Sequence, residues 1–301
     1  MLPLFAGGRV PLLRMRACGR TSYLFGSCHT LPLDQLASSW PSWLANQNTR
    51  LPELLKSHQH LVLENRVPVT DLTRLQELMQ ESDLGKRLTK LIRHPAFGHN
   101  LRRYQISLTW PIWLRLLKND PVYSTLTQLV GPERLASMNQ IDLPLLGSLL
   151  YGTMVLAGLD VNLNYHYLRA DKMVHELDDK DDVMLNENVR KAMRRLALYN
   201  IVMAKLNQTD LLTQFQGSVN RFHATYLYQA WSNQRFGKGD KYLVHARNQK
   251  WRPKIERFHL ELNDPLFVVG CAHLPGLIDL LRPSYQFEVF NLADQAFHAI
   301  K

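Results

Sequence analysis

Apolar positions fall along this chain in two rhythms, short runs of strand character and longer stretches with helical spacing. Leu12–Met15 and Ser22–Phe25 are two such runs around Cys18-Gly19-Arg20, an arrangement that predicts a hairpin. His60–Glu64 predicts a further strand, closed by a break at Pro68, and Lys172–Leu177, Pro265–Gly270 and Phe287–Phe290 predict three more. Helical spacing predicts helices over Leu33–Leu44, from an Asp71 cap to about Met79, and over 183–207, 209–231 and 245–261. Trp40 and Trp43 sit three apart on the first of these. The aromatic stripe of Phe215, Phe222 and Tyr226 reads as a packing face. Residues 81–142 are rich in Leu, Arg and Trp and are broken at Pro95, Pro111, Pro121 and Pro132, which predicts a helical subdomain.

Strands alternating with helices predict a mixed α/β (α+β) fold, a central sheet flanked by helices. The expected organisation is a single domain over 12–300 with a helical insert at 81–142. A hydrophobic fraction of 46% in 301 residues is enough for a substantial core. The longest uncharged run, Leu143–Leu159, is short for a membrane span and holds Gly147, Gly152 and Gly158, so it reads as a buried helix stopping near Gly158.

The net charge of +10 invites a nucleic-acid reading. The basic residues are dispersed over three amphipathic segments (Lys86 to Arg93, Arg190 to Arg195, Arg247 to Arg257), and no nucleic-acid-binding motif accompanies them. Solvated helix faces are therefore expected, with no specific nucleic-acid partner and only a weak attraction for anionic surfaces. Three cysteines fit a reducing compartment better than a disulfide scaffold. Arg9, Arg14, Arg16 and Arg20 precede the first acidic residue, Asp34, a faint likeness to a transit peptide, but no secretory apolar core is present. A cytoplasmic protein, or one exported without a signal peptide, is expected.

Candidate chemistry lies in two Gly-x-x-His turns, Gly26-Ser27-Cys28-His29 and Gly270-Cys271-Ala272-His273. With 15 glycines and 12 histidines, composition alone yields about 0.6 such spacings, so the count carries little. Context carries more: each turn follows an apolar strand and precedes Leu-Pro, and Glu64 ends its own strand in the same way. Glycine freedom would let the chain turn and aim each imidazole beyond the strand ends, where sites of α/β sheets gather. Two imidazoles and a carboxylate there suit a divalent ion with open positions, which would activate water. The alternative is a pair of structural histidines.

Thr21–His29, Leu61–Glu64 and Phe267–Gly276, with Ala246-Arg247-Asn248-Gln249-Lys250-Trp251 before the last of them, resemble the TraB/GumN family over roughly 12–290. The resemblance implies a fold similar to the erythromycin-esterase and haem-binding ChaN proteins. It also implies a divalent-metal-dependent protease or peptidase, with manganese or cobalt favoured over zinc and a peptide or protein substrate. By that likeness His29 and His273 bind metal, and Glu64 is a ligand or the general base. Arg247 and Asn248 then orient a carboxylate or stabilise an oxyanion; an ordinary salt bridge is the alternative for Arg247. Two positions depart from the family pattern. Asn162-Leu163-Asn164 lacks an expected acid, while Glu176-Leu177-Asp178 keeps one at Asp178, a further candidate ligand. The second function class is a non-catalytic peptide- or haem-binding protein on the same fold.

Lesser signals read as structural. Cys28 and Cys271 are expected to be small buried residues rather than ligands. The acidic run 176–182 lacks the glycine and terminal glutamate of a calcium loop. His58 and His60 are expected at the surface or a sheet edge, and Glu256 with His259 as an ordinary helix pair.

Overall fold

The structure, a computed structural model, describes residues 9–27, 51–65, 72–81, 158–179, 187–218 and 244–300, with scattered positions between 83 and 156. By internal contacts the chain divides into two units, one of Met1–Val67, Gly158–Val183 and Arg221–Lys301, the other of Pro68–Ala157 and Met184–Asn220.

The first unit is built on a seven-stranded mixed sheet. Strands β1 (Arg9–Ala17) and β2 (Arg20–Ser27) form the expected hairpin, with Cys18 and Gly19 at φ of 49° and 71°. Two positive φ values in a two-residue loop match the twist of the flanking strands. Helix α1 (Leu51–Ser57) leads into β3 (His60–Leu63). Helix α2 (Leu72–Gln80) belongs to the second unit. Helix α3 (Leu159–Arg169) then returns the chain to the sheet at β4 (Met173–Glu176). Helix α4 (Glu187–Leu206) is again in the second unit. Helix α5 (Ala246–Glu261) precedes β5 (Leu266–Gly270), which runs through a 3-10 turn at Cys271–His273 into α6 (Leu274–Leu281). Strands β6 (Gln286–Asn291) and β7 (Ala296–Ala299) close the fold.

The sheet order is β4-β3-β5-β2-β1-β6-β7. The first four strands are mutually parallel, and the other pairings are antiparallel. Alternation along each strand divides the core between two faces. Leu13, Leu24, Val62, Phe267 and Val269 pack with Trp251, Ile255, Leu277 and Leu281 of α5 and α6. Leu12, Phe25, Leu61, Leu63 and Val268 pack with Leu51 and Leu55 of α1 and with Leu159 and Leu163 of α3. Strand β5 is buried along its whole length, as expected for a central parallel strand.

The predicted strands are present, and the mixed α/β class holds. Four elements were not expected: α1, α3, α6 and β7. The predicted helix at 33–44 and most of 81–157 and 219–231 lie outside the described residues. In the second unit, Asn207 donates to Gln214, Gln214 to Ser218, and Ser218 to Asn200, linking α4 to a helix at 211–218. Phe215 is fully buried there, consistent with a packing stripe. Among the described residues no helix is long and apolar enough to cross a membrane.

Three polar residues depart from expectation. Arg87 belongs to a cluster expected to be solvated, yet it is buried, with its guanidinium donating to the Glu81 carbonyl. His259, expected as an ordinary helix pair with Glu256, is fully buried and bonded elsewhere. Its Nε2 lies 3.1 Å from the Ala17 carbonyl, which can only accept, so Nδ1 accepts from the Ser22 hydroxyl at 2.6 Å. That link staples α5 to the hairpin. His58 is buried too, beside Asp264 at 3.0 Å and 4.5 Å from the Tyr23 ring centroid. The chain enters β3 only after His58, so the alternation that ranks it with His60 does not apply.

Burial pushes the His58 imidazole below its ordinary value of 6.5, against the opposing pull of Asp264. His166 and His175 are lowered too, each chiefly by burial. An unfolded chain protonates these rings near the ordinary value, while the folded chain resists. Their contribution to stability is therefore complete above that value and is lost as pH falls below it. The melting temperature should drop between about pH 7.5 and about pH 5.5, and His58→Gln should flatten part of that slope. Thermal melts across this range check it; an unchanged slope in the variant would assign the acid sensitivity elsewhere.

Candidate functional site

Because β2, β3, β4 and β5 are parallel, their carboxyl ends lie along one edge of the sheet. Glu64 follows β3, Asp178 follows β4, and His273 follows β5 on its 3-10 turn. Helix α5 contributes Arg247, Asn248 and Trp251, of which Asn248 and Trp251 are spaced for the buried side of a helix. All of these residues belong to the first unit. His29 and Cys28 lie outside the described residues, two and one positions beyond Ser27, which pairs with Gly270.

Arg247 is the hub. Its Nη2 donates to Glu64 Oε2 and to Asp178 Oδ2, both at 2.6 Å. The guanidinium carbon sits 4.4 Å from the centroid of the Trp251 ring. Trp251 Nε1 donates to Asp178 Oδ1 at 2.7 Å, so that carboxylate is held from two sides. Glu64 Oε1 accepts from the Gly270 backbone N–H at 2.5 Å and lies 3.6 Å from His273 Nε2. Burial opposes the charge on Arg247, but Glu64 and Asp178 outweigh it and raise its pKa above the ordinary guanidinium value. His273 aside, two carboxylates against one guanidinium leave the cluster with a formal excess of one negative charge.

Asn248 fixes His273. The Asn248 Nδ2 donates to the His273 carbonyl at 3.0 Å, which turns Oδ1 toward His273 Nδ1 at 2.6 Å. An amide oxygen only accepts, so Nδ1 carries the proton. In the neutral ring, Nε2 then presents its lone pair toward Glu64 and Arg247, with Arg247 Nη1 at 3.3 Å. The His273 ring also packs 4.4 Å from Trp251.

The expected role of the glycines changes. Gly270 has φ of −55°, which any residue adopts, and Gly26 lies inside β2 rather than in a turn. A Cβ on Gly26 would sit 2.4 Å from Leu274 Cδ1 and 3.2 Å from Cys271 Cα, so close packing is the requirement. Cys271 is buried, as expected. Asn162 and Asn164 lie in α3 and do not precede a strand directly. The acidic run does not form a ligand loop at its described positions, since Asp179 pairs with Lys250 and Lys254.

The structure brings together Glu64, Asp178, Arg247, Asn248 and His273. Sequence reasoning missed Trp251 as an active participant and the Gly270 N–H as a partner of Glu64. Trp251 was legible only as the residue three after Asn248. Among the described residues, no three His, Cys, Asp or Glu side chains form a metal-holding group, and Arg247 bridges the two carboxylates. The chain matches no protein-family model, no curated protein and no solved structure.

Proposed function

We propose that the chain is a divalent-metal-dependent hydrolase of peptide or related acyl bonds, similar to the TraB/GumN proteins. The observation that carries this reading is the His273 tautomer. Asn248 holds Nδ1–H, so that Nε2 faces Glu64 Oε1 at 3.6 Å and Arg247 Nη1 at 3.3 Å at the carboxyl ends of parallel strands. A metal-ligating histidine is regularly oriented by a partner on its other nitrogen, and Asn248 is such a partner.

The donors fit such an ion. Carboxylate oxygen with imidazole nitrogen, beside an excess negative charge, suits manganese or cobalt better than a thiolate-seeking metal. His273 and Glu64 would hold it, joined by His29. When bound, a divalent ion lowers the pKa of a coordinated water and so supplies a nucleophile near neutral pH. The chain's own residues do the rest. Glu64 accepts the proton at a carboxylate oxygen, Arg247 steadies charge developing on the acyl oxygen, and Asp178 with Trp251 keeps Arg247 in place. In this reading Glu64 is the ligand and Asp178 anchors Arg247, because Glu64 Oε1 lies 3.6 Å from His273 Nε2 whereas the Asp178 oxygens accept from Arg247 and Trp251.

His29→Ala, His273→Ala and Glu64→Gln should each strip manganese or cobalt from the purified full chain, measured by elemental analysis, and abolish cleavage of a peptide library. Metal content equal to that of the parent protein would overturn the assignment. A Soret band on adding haem, without peptide turnover, would favour a binding protein.

A further inference from the structure

Strands β3 and β4 carry a second set of metal donors, away from the Glu64–His273 cluster. Their register pairs His60 with Met173 and Val62 with His175. Alternation along the strands therefore puts His60, Met173 and His175 on one face of the sheet. It is the face covered by α5, since Val62 packs in the core of that side and the His175 ring lies 5.3 Å from Phe258. Strand β4 is the edge of the sheet, and Met173 is 58% exposed, so solutes reach this position.

We propose that His60, His175 and Met173 form a binding site for a soft-to-borderline transition metal, copper in preference to zinc. His60 Nδ1 and His175 Nε2 face each other at 3.3 Å, with ring planes tilted by 41° and centroids 5.5 Å apart. The rings are thus not stacked; their nitrogens converge. The 3.3 Å spacing is that of a long N–H···N hydrogen bond, and the same two nitrogens are placed to share an ion. A tetrahedral ion with metal–nitrogen bonds of about 2.0–2.1 Å holds two ligand nitrogens about 3.3 Å apart, which is the observed spacing. The third donor decides the metal. A thioether selects Cu(I), and two imidazoles with no oxygen in the set disfavour manganese. The site is therefore chemically distinct from the one proposed above and does not rest on it.

The test uses the full chain, purified metal-free, with Cys18 and Cys28 replaced by Ser so that their thiols do not compete. Cu(I) is titrated anaerobically against a chromophoric chelator, with Zn(II) and Mn(II) in parallel. One equivalent of Cu(I) should bind, and His60→Gln or His175→Gln should weaken it by roughly tenfold or more. Met173→Leu, at an exposed position, should weaken Cu(I) and leave Zn(II) unchanged. The double variant His29→Ala/His273→Ala should keep the Cu(I) equivalent, which separates this site from the hydrolase reading. Cu(I) binding that survives His60→Gln/His175→Gln overturns the proposal. An unchanged Cu(I) affinity in Met173→Leu overturns the thioether ligand and with it the preference for copper.

Discussion

Arg247→Met should destabilise the protein by about 3–5 kcal/mol, the range for removing one partner of a buried ion pair. Methionine keeps much of the apolar stem over Trp251, so the loss is mainly electrostatic. The charge it abandons is large. Glu64 and Asp178 are 6% and 4% exposed, and both rely on the same guanidinium nitrogen. The Gly270 N–H would still serve Glu64, and the Trp251 indole would still serve Asp178, but neither carries charge. Asp178→Asn in the Arg247→Met background should restore part of the stability, because it removes one uncompensated charge while an amide oxygen can still accept from Trp251. Urea denaturation of the two single variants and the double variant measures this coupling. Additive losses would show that Arg247 acts through packing rather than through its carboxylates.

The sheet was legible because its strands are short apolar runs between turn residues, and β5, buried on both faces, was the plainest. Helix α3 was hidden for a related reason. It buries Leu159, Asp160, Val161, Leu163, Asn164, Tyr165 and Tyr167, so no single polar stripe marks it as a helix. Helix α6 begins Leu274-Pro275-Gly276, which reads as a turn, although proline is favoured in the first turn of a helix. Glu64, Arg247, Asn248 and His273 were found through motif likeness, and their individual partners were not. The hydrogen bonds of Asn248 depend on where α5 lies against β5, a tertiary fact that no local spacing encodes. Trp251 was masked by its size, since a buried tryptophan on a helix explains itself as core. The His60–His175 contact needed the register of two parallel strands separated by more than a hundred residues. His58 and His60 were expected at the surface or a sheet edge, and His58 is buried instead.

On the proposed hydrolase reading, Asn248→Ala should weaken metal binding by about 10–100-fold, the effect of losing a partner that orients a ligating imidazole. Two consequences separate positioning from structure. The substitution deprives His273 of its Nδ1 acceptor, so the ring can adopt either tautomer and turn its lone pair away from Glu64. It also deprives the His273 carbonyl of a donor, at a cost of about 1–3 kcal/mol for a buried polar group. Asn248→Asp keeps an acceptor for Nδ1–H but cannot donate to the carbonyl. It should therefore lose stability while holding metal nearly as the parent does, and the His273 nitrogen shifts measured by NMR should stay those of the Nδ1–H tautomer. Gly276→Ala approaches the same residue from outside. Alanine would favour helix α6 by about 1 kcal/mol, yet its Cβ would lie 2.5 Å from Asn248 Nδ2. The amide must then move, so this variant should lose metal affinity despite its better helix propensity. Parental metal affinity in both Asn248→Ala and Gly276→Ala would mean that Asn248 braces the turn without setting the chemistry of His273.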